Sequence, residues 1–421
     1  MPMRQPLRPP PSGPVATSPL HRSVWVLGLV SLLMDLSSEM IHSLLPVFMV
    51  TTLGATALTL GLIEGIAQST AALAKVFSGA ISDWVGRRKP LVLLGYGLAA
   101  LSKPLFALAG GPGAVLAARF LDRVGKGIRG TPRDALIADL TPATQRGAAY
   151  GLRQALDTLG AVAGPLAALA LMTLTQGNVR LVFWVAAVPA ALCVLLIVLG
   201  VREPRTPRPA VRPRWPLRAE RLRALPPGLT WVVVFGAALT LARFSEAFVL
   251  LRAESVGISA TWVPAVLIVM NIVYAASAYP LGRWSDRGGE RTLLALGCGL
   301  LVAADLVLAW ATGPAAVGVG AALWGLHLGA TQGLLSKWVA AAAPEGLRGT
   351  AFGVFNLASG VALLIASALA GALWSWVGPA MTFYAGAALA ALAMGGLLAQ
   401  RHGSPTAGST TDCQRRGNGG G

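Results

Sequence analysis

The chain has 421 residues, is 55% hydrophobic and only 12% charged, and carries a formal net charge of +17. Soluble domains carry about 25% charged residues, so too little polar surface remains to face water, and a mean hydropathy of +0.65 agrees. In a soluble protein such a positive charge would suggest nucleic acid; here the basic residues alternate with apolar runs instead of forming one patch, which excludes a nucleic-acid role.

In chain order, residues 1–22 come first, with Pro2, Pro6, Pro9, Pro10, Pro11, Pro14 and Pro19; they read as a disordered tail. The apolar run that follows is too long for the core of a cleavable signal peptide. Six runs then lie at 24–50, 58–81, 90–110, 113–136, 147–173 and 180–200. Each has the roughly 20 residues needed to cross about 30 Å of hydrocarbon. Residues 202–229 break the pattern, with eight arginines between 202 and 223 and a high proline content; such a stretch is stiff and extended, a linker. Six more runs follow at 230–252, 261–283, 291–311, 315–340, 349–375 and 379–400, and a Gly/Ser/Thr-rich tail fills 401–421. The expected fold is an all-α membrane protein of twelve helices in two six-helix bundles, 23–201 and 230–400. Fifty glycines suit close helix approach in lipid, where small residues let backbones meet.

Charge sets the expected orientation. The loops after even-numbered runs hold Arg87, Arg88, Lys89, Arg129, Arg133, Arg146, Arg287, Arg291, Lys337 and Arg348, while residues 51–57, 109–113, 311–315 and 375–379 hold no Lys or Arg. By the positive-inside rule, both termini and the linker are cytoplasmic, in a bacterial inner membrane. Cys193, Cys298 and Cys413 have no metal-ligand or C-x-x-C spacing, which predicts neither disulfide nor zinc. No nucleotide-binding G-x-x-x-x-G-K-[ST] loop, nucleophile elbow or H-E-x-x-H occurs, so the expectation is a non-enzyme without a cofactor.

The two halves repeat. Gly79-Ala80-Ile81-Ser82-Asp83-Trp84-Val85-Gly86-Arg87-Arg88 returns as Gly282-Arg283-Trp284-Ser285-Asp286-Arg287-Gly288-Gly289-Glu290-Arg291, and both read G-x-x-S-D-x-x-G-x-R. Arg146-Gly147-Ala148-Ala149-Tyr150-Gly151 returns as Arg348-Gly349-Thr350-Ala351-Phe352-Gly353, and Ser38-Glu39 is echoed by Ser245-Glu246. Internal repeats of membrane helices are the signature of a transporter.

Charges inside membrane spans are costly and mark candidate sites. Asp35, Glu39 and His42 in the first run share one helical face by spacing, so this face must look into the bundle or a wet cavity. Either carboxylate is a candidate proton carrier, Glu39 ahead of Asp35; the alternative is a structural network with Arg119 or Lys75. Arg243 and Glu246 in the seventh run either satisfy one another or line a cavity, Glu246 being the repeat counterpart of Glu39. Arg119 is expected to pair with Glu39, Asp35 or Asp157, and Arg153 with Asp157. Glu64 is expected near the outer surface and Arg252 with Glu254 at an outer rim. Asn271, His327, Gln332 and Asn356 are milder candidates.

The repeated loop resembles the major facilitator superfamily, whose loop after span two reads G-x-x-x-D-x-x-G-R-R and is filled by Gly79, Asp83, Gly86, Arg87 and Arg88. The second copy, with Gly282, Asp286 and Arg291, falls where that superfamily has it. In span four, Arg119, Gly125 and Gly127 match its R-x-x-Q-G-x-G-x-G pattern, with Asp122 and Arg123 departing from it. In span five, Gly160, Gly164 and Pro165 match the first part of G-x-x-x-G-P-x-x-G-G, a pattern associated with exporters, while Ala168 and Leu169 replace its last glycines. The resemblance covers 23–400. It implies a cytoplasmic gate in which Asp83 meets the helix start near Gly349 and Asp286 that near Gly147, with Arg87, Arg129 or Arg348 as further partners; a loop ordered by local Asp–Arg pairs is the alternative. Gly160 and Pro165 could let span five bend.

Together these readings predict a monomeric secondary transporter, moving an unidentified small solute by alternating access, proton-coupled and leaning to export. An uncoupled facilitator or a proton-coupled importer is the alternative. A sensor or scaffold would need a folded soluble appendage, which the short low-complexity tails and linker do not supply.

Overall fold

The computed structural model describes residues 20–85, 87–142, 145–203, 226–343 and 348–399. The expected linker and tails therefore lie largely outside the described residues. Among the described residues all regular structure is helical: α1 (Arg22–His42), α2 (Leu45–Val47), α3 (Ala57–Val85), α4 (Lys89–Leu108), α5 (Pro112–Asp139), α6 (Arg146–Leu174), α7 (Val179–Gly200), α8 (Pro227–Ala242), α9 (Ala247–Ser255), α10 (Pro264–Trp284), α11 (Glu290–Trp310), α12 (Pro314–Ala342), α13 (Arg348–Trp376) and α14 (Pro379–Ala399). Several begin with proline in the first turn, as α5, α8, α10 and α12 do, where its missing N–H costs nothing and its fixed φ suits the helix. The Asn178 side chain accepts from the Leu181 N–H and caps α7.

Ten helical segments among the described residues are long and apolar enough to cross a membrane, counting Arg22–Thr52 and Pro227–Ser255 as one each. The other two long helices, α5 and α12, fall below that apolarity. The first carries Arg119, Asp122, Arg123, Lys126 and Arg129, and the second is diluted by glycines, His327, Gln332 and Lys337. Large apolar side chains such as Leu174, Leu199, Trp376 and Leu392 stand exposed on the outside, the expected dressing for a lipid-facing surface.

Two features position the site. First, the opening segment of each half is broken midway. α1 ends at His42 and resumes at Leu45, running into a π-helical turn at Phe48–Thr52. α8 ends at Ala242, and Arg243 leaves helical geometry at φ −100°, ψ 81° before α9 starts at Ala247. Second, small residues seat helices of opposite halves on each other. A Cβ on Gly61 of α3 would come within 2.1 Å of the Ser367 carbonyl oxygen of α13, and one on Gly371 within 2.6 Å of the Ala57 oxygen. Ser69 Oγ donates to the Gly360 carbonyl at 2.7 Å, and the Leu58 N–H to Ser375 Oγ at 3.1 Å. Likewise α6 meets α10, where Asn271 Nδ2 donates to the Ala161 carbonyl at 2.9 Å.

The apolar core divides unevenly. One cluster joins both halves at the ends of the helices remote from the chain termini, with Phe48, Ala57, Leu60, Phe106, Phe183, Leu250 and Leu251 among its members. A separate cluster nearer the termini, around Leu27, Val30, Tyr96, Ile137 and Ile197, contains residues of the first half only, while the second half's core on that side, with Leu229, Leu293 and Leu397, is continuous with the first cluster. The halves are thus sealed together on the side remote from the termini and are not fused by a common core on the termini side.

Candidate functional site

A cavity of about 330 Å³ lies between the halves at the level of both helix breaks. Glu39 and His42 reach it from the end of α1, Glu64 and Gln68 from α3, Arg119, Arg123 and Lys126 from α5, and Arg243 to Ala247 from the break between α8 and α9. Lys126, Glu246 and Gln332 are exposed, so solvent reaches the cavity. Because the remote side is sealed by the shared core, the entrance lies on the termini side.

The breaks explain why these groups point inward. Irregular backbone at membrane depth is tolerated where it lines a cavity, and both breaks do. Arg243 and Glu246, three apart in sequence, would face each other on a continuous helix. The chain leaves helical geometry between them, and they form no close ion pair; both line the cavity instead. Gly164 seats α6 against α1 at Glu39, where a Cβ would come within 2.5 Å of Glu39 Cβ, and Gly160 does the same at Asp35 at 3.1 Å. Gly160, Gly164 and Pro165 belong to one helix, Arg146–Leu174; the two glycines bring the acidic face of α1 close to it. Asp35 is half-buried one turn from Glu39 and does not line the cavity.

A polar chain runs through the buried wall. Glu39 Oε1 lies 3.6 Å from His42 Nδ1. The Arg123 guanidinium donates to the His42 ring, since arginine has no acceptor, and Arg123 Nε stands 3.3 Å from Asp122 Oδ2. Asp122 Oδ1 accepts from Lys103 Nζ at 2.8 Å, and Lys103 also donates to Ser38 Oγ at 3.0 Å. In a second arm, Arg119 Nη2 donates to Glu64 Oε2 at 2.6 Å, and Ser245 Oγ of the opposite half approaches the same oxygen at 3.4 Å. Arg119 therefore pairs with Glu64, not with Glu39, Asp35 or Asp157. Glu64 is buried beside the cavity rather than placed near the outer surface, because α3 carries it past the sealed end to face Arg119.

Other expected groups resolve locally. Arg153 Nη1 holds Asp157 Oδ2 at 2.5 Å. Arg133 Nη1 donates to Ser31 Oγ at 2.8 Å and to Tyr96 Oη at 3.2 Å. Arg252 donates to the carbonyls of Leu308, Ala309 and Ala311, closing the end of α11. His327 is buried, with Nδ1 2.8 Å from the Gly297 carbonyl. Gln332 lines the cavity and accepts from Tyr274 Oη at 3.3 Å. Lys75 is exposed and Asn356 half-buried.

Of the loop motifs, Gly86 and the side chains of Asp83 and Asp286 lie outside the described residues, so the expected gate contacts do too. Their neighbours are held within their own halves: Arg88 Nε meets Asp139 Oδ2 at 2.5 Å, and Arg291 Nη2 donates to the Leu397 carbonyl at 2.5 Å. Arg87 and Gly282 are exposed. Two buried charges escaped the reading by sequence, Lys103 in the third run and Asp305 in the ninth. The signal was present, since each interrupts an otherwise apolar run.

Fold and cavity together define a membrane transporter of repeated helical halves, a non-enzymatic carrier of small molecules. The family model of the Major Facilitator Superfamily matches residues 27–366 and 230–412. An MFS-type transporter of Methanocaldococcus jannaschii is 32% identical over 378 residues, covering 88% of this chain and 93% of that one. The chain belongs to the major facilitator superfamily and is an integral membrane protein. The multidrug resistance protein MdtH of Yersinia pestis is 30% identical over 266 residues, 61% of this chain and 63% of its own. Among solved structures, the nucleoside transporter NupG superposes with a TM-score of 0.69 at 13% identity, over 90% of this chain and 99% of that one.

Proposed function

We propose that the chain is a secondary active transporter of the bacterial inner membrane, working as a monomer, with both termini and residues 202–229 cytoplasmic. Bundles 23–201 and 230–400 rock about the cavity and expose it alternately to either side. The observation that carries this reading is the solvent-reached cavity between repeated halves, lined by Glu39, Glu64 and Glu246 beside Arg119, Arg123, Lys126 and Arg243, and sealed on one side only. Glu39 is the proposed proton carrier: it lines the cavity, touches a wider polar network among the described residues through His42, and sits on a helix that Gly164 holds in place. Asp83 and Asp286 are proposed to latch the cytoplasmic side when the cavity turns outward.

Export is supported by Gly160, Gly164 and Pro165 and by the similarity to a multidrug resistance protein. Proton-coupled uptake is the second reading, favoured by the lining: four cationic side chains face three carboxylates. A proton on one carboxylate would raise the attraction for an anionic solute, so the two would load together. A broad solute screen for thermal stabilisation of the purified protein identifies a binder, because a ligand that prefers the folded state raises the melting temperature. With that binder, a proton uncoupler should abolish accumulation or expulsion by cells making the protein. Transport against a gradient that persists under the uncoupler leaves proton coupling without support.

A further inference from the structure

With the cavity as the transport site, its lining bears on the chemical class of the solute. Two of its four cations have carboxylates in the same cavity, Glu39 and Glu246, but none in direct contact among the described residues. Lys126 of α5 and Arg243 at the end of α8 make no hydrogen bond and no close ion pair with a described residue, yet both line the cavity. Lys126 is exposed and Arg243 half-buried, so both can be reached from solution. They belong to opposite halves, and a bound group between them would be held from both sides.

The lining as a whole leaves positive charge in excess, since Glu39, Glu64 and Glu246 stand against Arg119, Arg123, Lys126 and Arg243. Arg119 is 3% exposed and Arg123 1%, and among the described residues Nε and Nη1 of Arg119 have no hydrogen-bond acceptor. Glu64 is committed to Arg119, and Asp122 to Lys103 and Arg123. A buried cation without a full set of acceptors leaves positive potential in a site of low dielectric. The same cavity presents an apolar side: Phe244, Leu250 and Leu267 line it. Phe244 is fixed edge-on to Trp324 and Phe383, with centroids 5.4 and 5.5 Å apart, so this surface is firm.

We infer that the cavity binds an amphipathic organic anion, its acidic group between Lys126 and Arg243 and its apolar body against Phe244, Leu250 and Leu267. The 330 Å³ volume suits a small molecule rather than a peptide or a lipid. Inorganic phosphate would fill the charged end and leave the apolar wall bare.

The test uses full-length protein in detergent and compounds sharing a phenylpropyl body. Three carry an acid group, as carboxylate, sulfonate or phosphonate; one is the neutral amide and one the amine. The three anions should raise the melting temperature saturably, at least one of them at concentrations where amide and amine do nothing. Lys126→Gln and Arg243→Gln should each weaken that anion by about tenfold, the usual worth of one charge-assisted hydrogen bond. Arg243→Lys should retain most of the affinity and checks that the site still folds. Binding by the amine or amide alone, lost in the Gln variants, overturns the anionic class while leaving the cavity as the solute site. Anion binding that the Gln variants leave unchanged removes the cavity itself from the account. No shift with any of the three anions also overturns the proposal.

Discussion

Single residues in this chain act chiefly by whether their charge has a partner. Glu64 and Arg119 are each 3% exposed and joined at 2.6 Å. Such a pair adds little by existing, but removing one member strands the other, at about 3–5 kcal/mol. Glu64→Gln should therefore lower the melting temperature clearly, and a variant that melts like the parent would mean that Arg119 has another acceptor. Asp305 is the opposite case. It is fully buried on α11, neither carboxyl oxygen has a hydrogen-bond partner among the described residues, and Gly386 packs so close that a Cβ there would come within 2.5 Å of Asp305 Oδ2. Asp305→Asn keeps the shape and removes no contact, so stability should stay within about 1 kcal/mol of the parent or rise. A loss comparable to that of Glu64→Gln would contradict the isolated position.

At the level of helices, glycines set how closely the moving parts approach. The Gly61 face of α3 meets backbone of α13, which cannot yield as a side-chain tip would. Gly61→Val should push the halves apart on the sealed side and favour the state open there. The native Cys193 and Cys298 are buried, so with Cys413→Ser as background a cysteine placed at the cavity residue Ala247 provides a clean probe. Its labelling from the sealed side should rise in the Gly61→Val background, and labelling equal to the parent's would show that α3 and α13 do not form the closure. Asp83→Asn should act in the other direction, releasing the proposed latch and raising labelling of the same cysteine from the termini side. If both labelling and transport are unchanged, Asp83 is not part of a latch.

For the whole molecule, orientation is the simplest expectation: a reporter active only in the periplasm, fused after Arg401, should be silent, and strong activity would reverse the assigned sides. The repeated halves and most helices were legible because lipid demands long apolar runs and the loop motif occurs twice. The break at His42 was legible in Pro46, which has no N–H to give the His42 carbonyl; no proline or glycine marks the break at Arg243, and a single sequence does not show what another helix presents there. For the same reason Glu39, His42, Arg119, Arg243 and Glu246 could be picked out as charges within apolar runs, while their pairing could not. Helical spacing speaks only to neighbours on one helix, and Arg119 finds Glu64 on another. Lys103 and Asp305 were legible in principle, as charges within apolar runs. The central claim is a cavity between rocking halves in which Glu39 carries the proton. It is tested most directly in proteoliposomes with an imposed pH gradient, using a solute identified by stabilisation. The parent protein should concentrate the solute, whereas Glu39→Gln should bind and exchange it without concentrating it. Undiminished uphill transport by Glu39→Gln would contradict the claim and leave Glu39 as a structural partner of His42.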